Sequence, residues 1–222
     1  MGGGGSKGSR AARAAARLSR NYLDAVRAND AAGAYRVAAR ARERGMSLAA
    51  LYQSVIAPAM HELGRLWEKG AITIADEHLA TALTFRVMTA LRPRAVAGRT
   101  DAEDSAKPRA MFAAVEGEQH ALGLRMAADL LEDAGFRSIY LGADVPTEAL
   151  LQAVDSLSPD VLALTATMPK SGRRLKDTVA SVRAARPRLK VMVGGQAVAS
   201  QAVGEATVVE DLERLEETMH AA

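Results

Sequence analysis

The apolar pattern of this chain changes period once, near residue 109, and that change limits the folds open to it more than any other feature. From Ala11 to about Leu91 no run reads as a strand. Alanine, leucine and arginine dominate there, all good helix formers. Ile56, Met60, Leu63 and Trp67 recur at four-three-four spacing, and Ile74, His78, Thr81, Phe85 and Met88 keep the same rhythm. Such spacing puts each set on one helix face directed at a shared interior. Four helices are predicted, at about 11–28, 30–44, 47–69 and 73–92. Asn29-Asp30 and Gly45-Met46-Ser47 supply breaks, and Ser47 and Thr73 are the expected N-caps. Short links between helices of this kind favour an antiparallel four-helix bundle.

From Arg109 onward, short apolar runs alternate with helical patterns. Strands are predicted at Ala110–Val115, Ser138–Leu141, Val161–Leu164, Lys190–Val193 and Thr207–Val209. Helices are predicted at about 121–134, 147–157, 172–186, 196–203 and 211–220. Alternation of this type means a five-stranded, parallel, doubly wound sheet of the flavodoxin-like kind. Its expected strand order is 2-1-3-4-5, with the switch point between strands one and three, where such sheets bind ligands. The expected organisation is a flexible leader over 1–9, a helical domain over 10–92, a linker over 93–108 and the sheet domain over 109–222. The leader reading rests on Met1-Gly2-Gly3-Gly4-Gly5-Ser6; the linker is polar and bounded by Pro93 and Pro108.

Composition removes several classes. The 222 residues contain no cysteine, which excludes disulfides, thiolate metal sites and thioether-linked chromophores and suits a reducing cytosol. No apolar run reaches the roughly 18 residues a membrane helix needs. Cytoplasmic residence is therefore expected. The net charge is only +3, but residues 1–50 hold ten Lys/Arg against three acids. A basic segment could touch nucleic acid or an acidic partner. Without a DNA-reading motif beside the arginines, a solvated helix face explains them better, and direct DNA binding is not expected.

The chemistry gathers at the end of the first strand, in Glu118-Gln119-His120-Ala121-Leu122-Gly123. A histidine in a loop is by itself unremarkable. Here Glu118 stands two residues earlier, close enough to accept the second ring N–H, which fixes the tautomer and strengthens the other nitrogen as a metal donor. Gly123 removes a side chain where a bulky ring would approach. The third strand ends in Thr165-Ala166-Thr167, and the fourth in Gly194-Gly195. Taken singly, the threonines are ordinary strand residues and the glycines an ordinary tight turn. Together, one imidazole, two hydroxyls and a glycine pair, each at a strand end, lay out a pocket for a large planar metal cofactor.

With Glu118, His120, Gly123, Thr165, Thr167, Gly194 and Gly195 in view, residues 109–222 resemble the cobalamin-binding domain shared by methionine synthase, corrinoid methyltransferase proteins and cobalamin photoreceptors. The family pattern is Asp/Glu-x-His-x-x-Gly, then Ser-x-Leu or Ser/Thr-x-Thr, then Gly-Gly. The chain departs from the commonest form by Glu for Asp and Thr for Ser, and both changes keep the acceptor or hydroxyl. The resemblance implies that His120 is the lower axial cobalt ligand. It also implies that the cofactor's nucleotide tail lies in the groove beside Thr165, Thr167 and Gly194.

The helical half narrows the family. Trp67, nine residues, then Glu77-His78 is similar to the pattern of CarH/LitR-type light-sensing cobalamin proteins, whereas methyltransferase corrinoid proteins do not normally carry it. On spacing alone the three would be ordinary bundle residues. The resemblance implies adenosylcobalamin between bundle and sheet, with Trp67 and Glu77 around the adenosyl group. It further implies that light breaks the cobalt–carbon bond and that His78 then becomes the upper cobalt ligand. About ten residues precede the first helix, so the expectation is a stand-alone photoreceptor without the winged-helix DNA-binding domain of those proteins. Signalling would pass through a homo-oligomer, a dimer or higher, or through a protein partner such as a transcriptional regulator. A second, non-covalently held bilin is compatible with the absence of cysteine. The chain is read as a light sensor and not an enzyme; the alternatives are a corrinoid methyl carrier of a methyltransferase system and a light-independent cobalamin-responsive regulator. His61 and His220 receive no role.

Overall fold

The computed structural model describes residues 4–92, 106–198 and 203–221. The chain divides into two compact units, Met1–Ala97 and Gly98–Ala222.

The first unit is all helical: α1 (Gly4–Arg27), α2 (Ala31–Glu43), α3 (Leu48–Leu51), a π-helical turn (Tyr52–Ile56), α4 (Ala57–Glu68) and α5 (Ile74–Ala90). The helix expected over 47–69 thus runs through a wide turn. Its cause is Pro58 near the start of α4. Proline has no N–H and its ring crowds the carbonyl four residues back, so the chain opens to the longer bond, Ala57 N to Tyr52 O. The caps are the expected ones: the Ser47 hydroxyl accepts from Ala50 N at 3.0 Å, and Thr73 forms a reciprocal capping box with Asp76. The interior is closed by Tyr22, Leu51, Tyr52, Ile56, Leu63 and Met88, each at most 1% exposed.

Two expectations need correction. The leader expected over residues 1–9 is helix from Gly4, as the first part of α1, although its glycines and serines are poor helix formers; residues 1–3 lie outside the described part. The face containing Trp67, Ile74 and His78 does not stay inside. It is buried at Ile56, Leu63 and Met88 but emerges at the α4–α5 turn, where Trp67 is 41% and Ile74 48% exposed. Periodicity selects a face, not its depth. The linker expected over 93–108 lies outside the described residues except for 106–108.

The second unit is a five-stranded parallel sheet in the order β2-β1-β3-β4-β5. Its elements are β1 (Arg109–Val115), α6 (Leu122–Asp133), β2 (Arg137–Val145), α7 (Thr147–Leu157), β3 (Val161–Thr165), α8 (Pro169–Ala185), β4 (Lys190–Gly194), β5 (Thr207–Val208), a 3₁₀ turn (Leu212–Arg214) and α9 (Leu215–Ala221). The doubly wound plan follows from the two faces of β1. Met111, Ala113 and Val115 pack with Leu150 and Val154 of α7 and Leu175, Val179 and Val182 of α8. Ala110, Phe112 and Ala114 pack with Leu124, Ala128 and Leu131 of α6 and Leu215 of α9. A strand buried on both faces cannot alternate apolar with polar, which is why β1 reads as a continuous apolar run. Truncating Phe112 to Ala would cost about 4 kcal/mol.

β2 extends four residues past its predicted end at Leu141, as an irregular edge strand. Phe112 pairs with Tyr140, Ala113 with Gly142 and Val115 with Val145, so β2 gains two residues over β1 in this stretch. The helix expected over 196–203 begins as a turn at Gln196-Ala197, and residues 199–202 lie outside the described part.

Candidate functional site

The carboxyl ends of β1 and β3 adjoin at the switch point, and Glu118 joins the loops that leave them. Its side chain is fully buried. Oε1 accepts from His120 N at 2.9 Å and from His120 Nδ1 at 2.6 Å. Oε2 accepts from Thr167 N at 2.8 Å and Met168 N at 2.9 Å. Burial pushes this carboxyl up, but the hydrogen bonds, led by that from Met168 N, outweigh it and hold the acid below the usual glutamate range. The charge is thus kept at neutral pH in a place with no water to solvate it.

The consequence for His120 is direct. A carboxylate on Nδ1 assigns the proton to that nitrogen and leaves the Nε2 lone pair for another partner. The imidazole itself is 52% exposed. Ala121 begins α6 without a side-chain cap, and a Cβ added at Gly123, in its first turn, would meet nothing within 4 Å. The space over Gly123 is therefore open, and so is about half of the imidazole.

Thr165 and Gly194 face each other in the β3–β4 register, and the Thr165 hydroxyl donates to Gly194 O at 3.1 Å. Thr165 is only 6% exposed, so its hydroxyl ties two strand ends together and keeps acceptor capacity only. Thr167 is half-buried and enters the site mainly through its N–H. Gly195 has φ +102°, and a Cβ there would stand 2.3 Å from Ala166 O. This turn admits glycine alone. The structure thus brings Glu118, His120, Thr165, Thr167, Gly194 and Gly195 into one hydrogen-bonded rim, with Gly123 opening the floor beside it.

Trp67, Glu77 and His78 belong to the helical unit. Glu77 Oε2 lies 2.7 Å from His78 Nδ1, and Glu77 Oε1 accepts from the Thr81 hydroxyl at 2.8 Å. The His78 side chain is 72% exposed. His61 is also exposed.

Sequence reasoning missed Met168 and Asp144, and it expected Thr167 through its hydroxyl rather than its N–H. Met168 and Thr167 act through backbone N–H groups, which no residue pattern marks. Asp144, at the end of β2, accepts from Gly117 N at 2.6 Å and from Gln119 Nε2 at 3.1 Å. A Gly-x-Asp just before Pro146 was the available signal, and it reads most simply as a turn.

The donor set suits cobalt held by one imidazole: a neutral nitrogen of fixed tautomer, a buried carboxylate behind it and open space in front. Among the described residues no group of three or more His, Cys, Asp or Glu is placed to hold a metal ion by itself, so the macrocycle would supply the other ligands. No helix among the described residues is long and apolar enough to cross a membrane.

Comparisons with known proteins agree with this geometry. Residues 108–215 match a family described as B12 binding domain, and residues 18–92 match a second family of the same description. The HTH-type transcriptional repressor CarH of Myxococcus xanthus is 36% identical over 172 residues, which is 74% of this chain and 55% of that protein. The chain thus spans about half the length of that relative. Dimethylamine corrinoid protein 2 of Methanosarcina acetivorans is 27% identical over 159 residues, 71% of this chain and 72% of that one. The solved monomethylamine corrinoid protein of Methanosarcina barkeri shares the fold, with a TM-score of 0.73 at 20% identity over 91% of this chain and 97% of that one. Over residues 18–92 and 108–215 the chain belongs to the B12-binding domain families.

Proposed function

We propose that the protein is a cobalamin-dependent light sensor rather than an enzyme, with adenosylcobalamin as its working cofactor. His120, held by Glu118, would ligate the cobalt. Thr165, Thr167, Gly194 and Gly195 line the path of the cofactor's tail, and Gly123 leaves room for the ring. Trp67 and Glu77 would contact the adenosyl group, and His78 would ligate cobalt after illumination. When bound, adenosylcobalamin supplies a cobalt–carbon bond that visible light breaks.

One observation carries this reading over its rivals: the chain holds a second carboxylate–imidazole pair. His78 has its Nδ1 on Glu77 at 2.7 Å, so its Nε2 is the free donor, as at His120. A nearby exposed Trp67 and Ile74 give the helical unit an apolar surface that a cofactor could cover. A carrier that only shuttles methyl groups has no use for a second ligand-ready imidazole. The likeness to a transcriptional repressor supports a signalling output. That output would run through a homo-oligomer or a regulator partner, in the cytoplasm, without direct DNA contact by this segment.

The test is the absorption spectrum of the dark-reconstituted protein before and after green illumination. The unaltered chain should change spectrum in light. His78→Ala should keep the dark spectrum and alter the light one; His120→Ala should alter the dark one. A dark spectrum that survives illumination removes light sensing and leaves cofactor binding intact. Purified protein should be red or pink; a green or blue tone would point to an added bilin.

The similarity to corrinoid proteins keeps a methyl carrier as second reading. It predicts methylcobalamin as the working form and no consequence from His78→Ala. A partner that answers to cofactor equally in dark and light would instead favour a light-independent regulator.

A further inference from the structure

The loop that carries His120 is held from two sides. Glu118 fixes the imidazole from within, and β2 fixes the loop from the sheet edge. Three bonds run from Asp144 to three consecutive loop residues. Its N–H donates to Glu118 O at 2.9 Å, Oδ1 accepts from Gly117 N at 2.6 Å, and Oδ2 accepts from Gln119 Nε2 at 3.1 Å. The strand is deformed to bring this about. β2 carries two extra residues against β1 between Tyr140 and Val145, and both Gly142 (φ +89°) and Asp144 (φ +55°) have left-handed backbone. Irregularities of this type bend an edge strand and re-aim a side chain, and they concentrate beside functional sites. A non-glycine residue held at positive φ stores strain that the surroundings must offset. Here the offset is the carboxylate's grip on the loop.

We infer that Asp144 is a positioning residue for the His120 ligand: by clamping Gly117, Glu118 and Gln119 it pre-sets the imidazole for coordination. This rests on the reading of His120 as the cobalt ligand. Without the clamp, the same imidazole and the same Glu118 remain, but the loop must be ordered each time the metal binds.

Asp144→Gly removes the carboxylate without adding backbone strain, because glycine adopts φ +55° freely. Asp144→Asn also tolerates this backbone and keeps one acceptor for Gly117 N. Two readouts apply: amide hydrogen exchange at Gly117 and His120 in the cofactor-free chain, and titration with hydroxocobalamin followed by its absorption spectrum. Asp144→Gly should melt cooperatively, exchange faster at Gly117, and show an apparent Kd raised roughly 10-fold with a smaller histidine-coordinated fraction, as for other residues that orient metal ligands. Asp144→Asn should fall between. Unchanged exchange at Gly117 and His120 together with an unaltered Kd and spectrum in Asp144→Gly would overturn the proposal. Should Asp144→Gly fail to fold, Asp144→Asn decides by the titration, since it keeps the acceptor for Gly117 N and loses the one for Gln119 Nε2: a Kd and spectrum matching the unaltered chain count against the proposal. If His120→Ala leaves the cobalamin spectrum unaltered, the ligand reading fails instead, while the exchange data still report on the clamp.

Discussion

Each unit of this protein holds one imidazole against one carboxylate, and the two pairs are almost equal in length, 2.6 Å at Glu118–His120 and 2.7 Å at Glu77–His78. They differ in everything else. Glu118 is buried completely and accepts four hydrogen bonds, two of them from residues 49 and 50 positions further along the chain. Glu77 is 21% exposed and accepts from residues one and four positions away on its own helix. The first pair is part of the tertiary structure; the second is a property of one helical turn. Bond length therefore says little about rigidity. What counts is how many separate segments a carboxylate ties together, and whether water can replace it. On the proposed reading, His120 as a permanent ligand would have the first kind of support and His78, engaged only after illumination, the second.

The sharpest way to break this comparison is to remove each carboxylate. Glu118→Ala leaves the N–H groups of His120, Thr167 and Met168 without their acceptor, two of them in half-buried positions. The cost should be about 4 kcal/mol of stability in the sheet unit, at roughly 1–3 kcal/mol per unsatisfied buried group less what relaxation recovers. Glu77→Ala exposes nothing new and should cost under about 0.5 kcal/mol. Urea unfolding of both variants decides it. A Glu118→Ala chain as stable as the parent would mean that the two pairs are energetically alike.

Next in size is Gly195→Ala. A methyl group 2.3 Å from Ala166 O, on backbone at φ +102°, must push the β3 and β4 ends apart. About 3 kcal/mol of destabilisation is expected. Because Ala166 sits between Thr165 and Thr167, the displaced loop should also loosen the Thr167 N bond to Glu118. Faster exchange at the Thr167 amide, with none at Glu77, would show that the rim acts as one piece. Equal exchange at Thr167 before and after substitution would show that Glu118 is held independently of it.

Buried polar groups extend the contrast. Glu118 is buried with four partners and pushed down; Tyr22 of the bundle is buried with none of normal geometry and pushed up to about 12, chiefly by desolvation and offset only partly by Thr84. An acid whose folded value lies above its ordinary value of 10 supports the fold fully below pH 10. That support fades as pH rises through about 12, by an amount of about 2–3 kcal/mol. Tyr22→Phe should be neutral or slightly stabilising at pH 7 and should flatten the alkaline loss. An identical alkaline melting curve for Tyr22→Phe would mean that other groups drive it.

Much of this arrangement was legible in the chain before any coordinates. Alternating apolar runs gave the sheet order, since a parallel sheet with one helix after each strand leaves few topologies. The two-residue spacing of Glu118 and His120 gave their contact, because neighbours that close in a turn must meet. What was hidden had specific causes. The Thr167 and Met168 donors are backbone groups with no residue signature. Asp144 reaches Gly117 across 27 positions and a strand irregularity, and its Gly-x-Asp-x-Pro context reads as the end of a strand. The emergence of Trp67 and Ile74 could not be read from spacing, which fixes direction around a helix but not the layers it meets.

The smallest expected effect bears on the looser pair. Glu77 ends the first turn of α5 and His78 opens the second, next to a helix start whose leading N–H groups have no helical partner. The capping box supplies some of them: Asp76 N donates to the Thr73 hydroxyl at 3.2 Å, and Thr73 N to Asp76 Oδ2 at 2.8 Å. The Thr73 hydroxyl also donates to Asp76 Oδ2 at 2.7 Å, which is the leading reason that this exposed carboxyl lies below its usual range. Thr73→Ala removes the hydroxyl from both roles and should cost about 1 kcal/mol. The loss should appear as fraying of that turn, with faster amide exchange at Asp76 and Glu77, while exchange at His120 stays as it was. A pair that depends on one helical turn must respond to the cap of that turn; if Glu77 and His78 are indifferent to Thr73→Ala, their support comes from outside α5 and the distinction between a tertiary and a local pair is wrong.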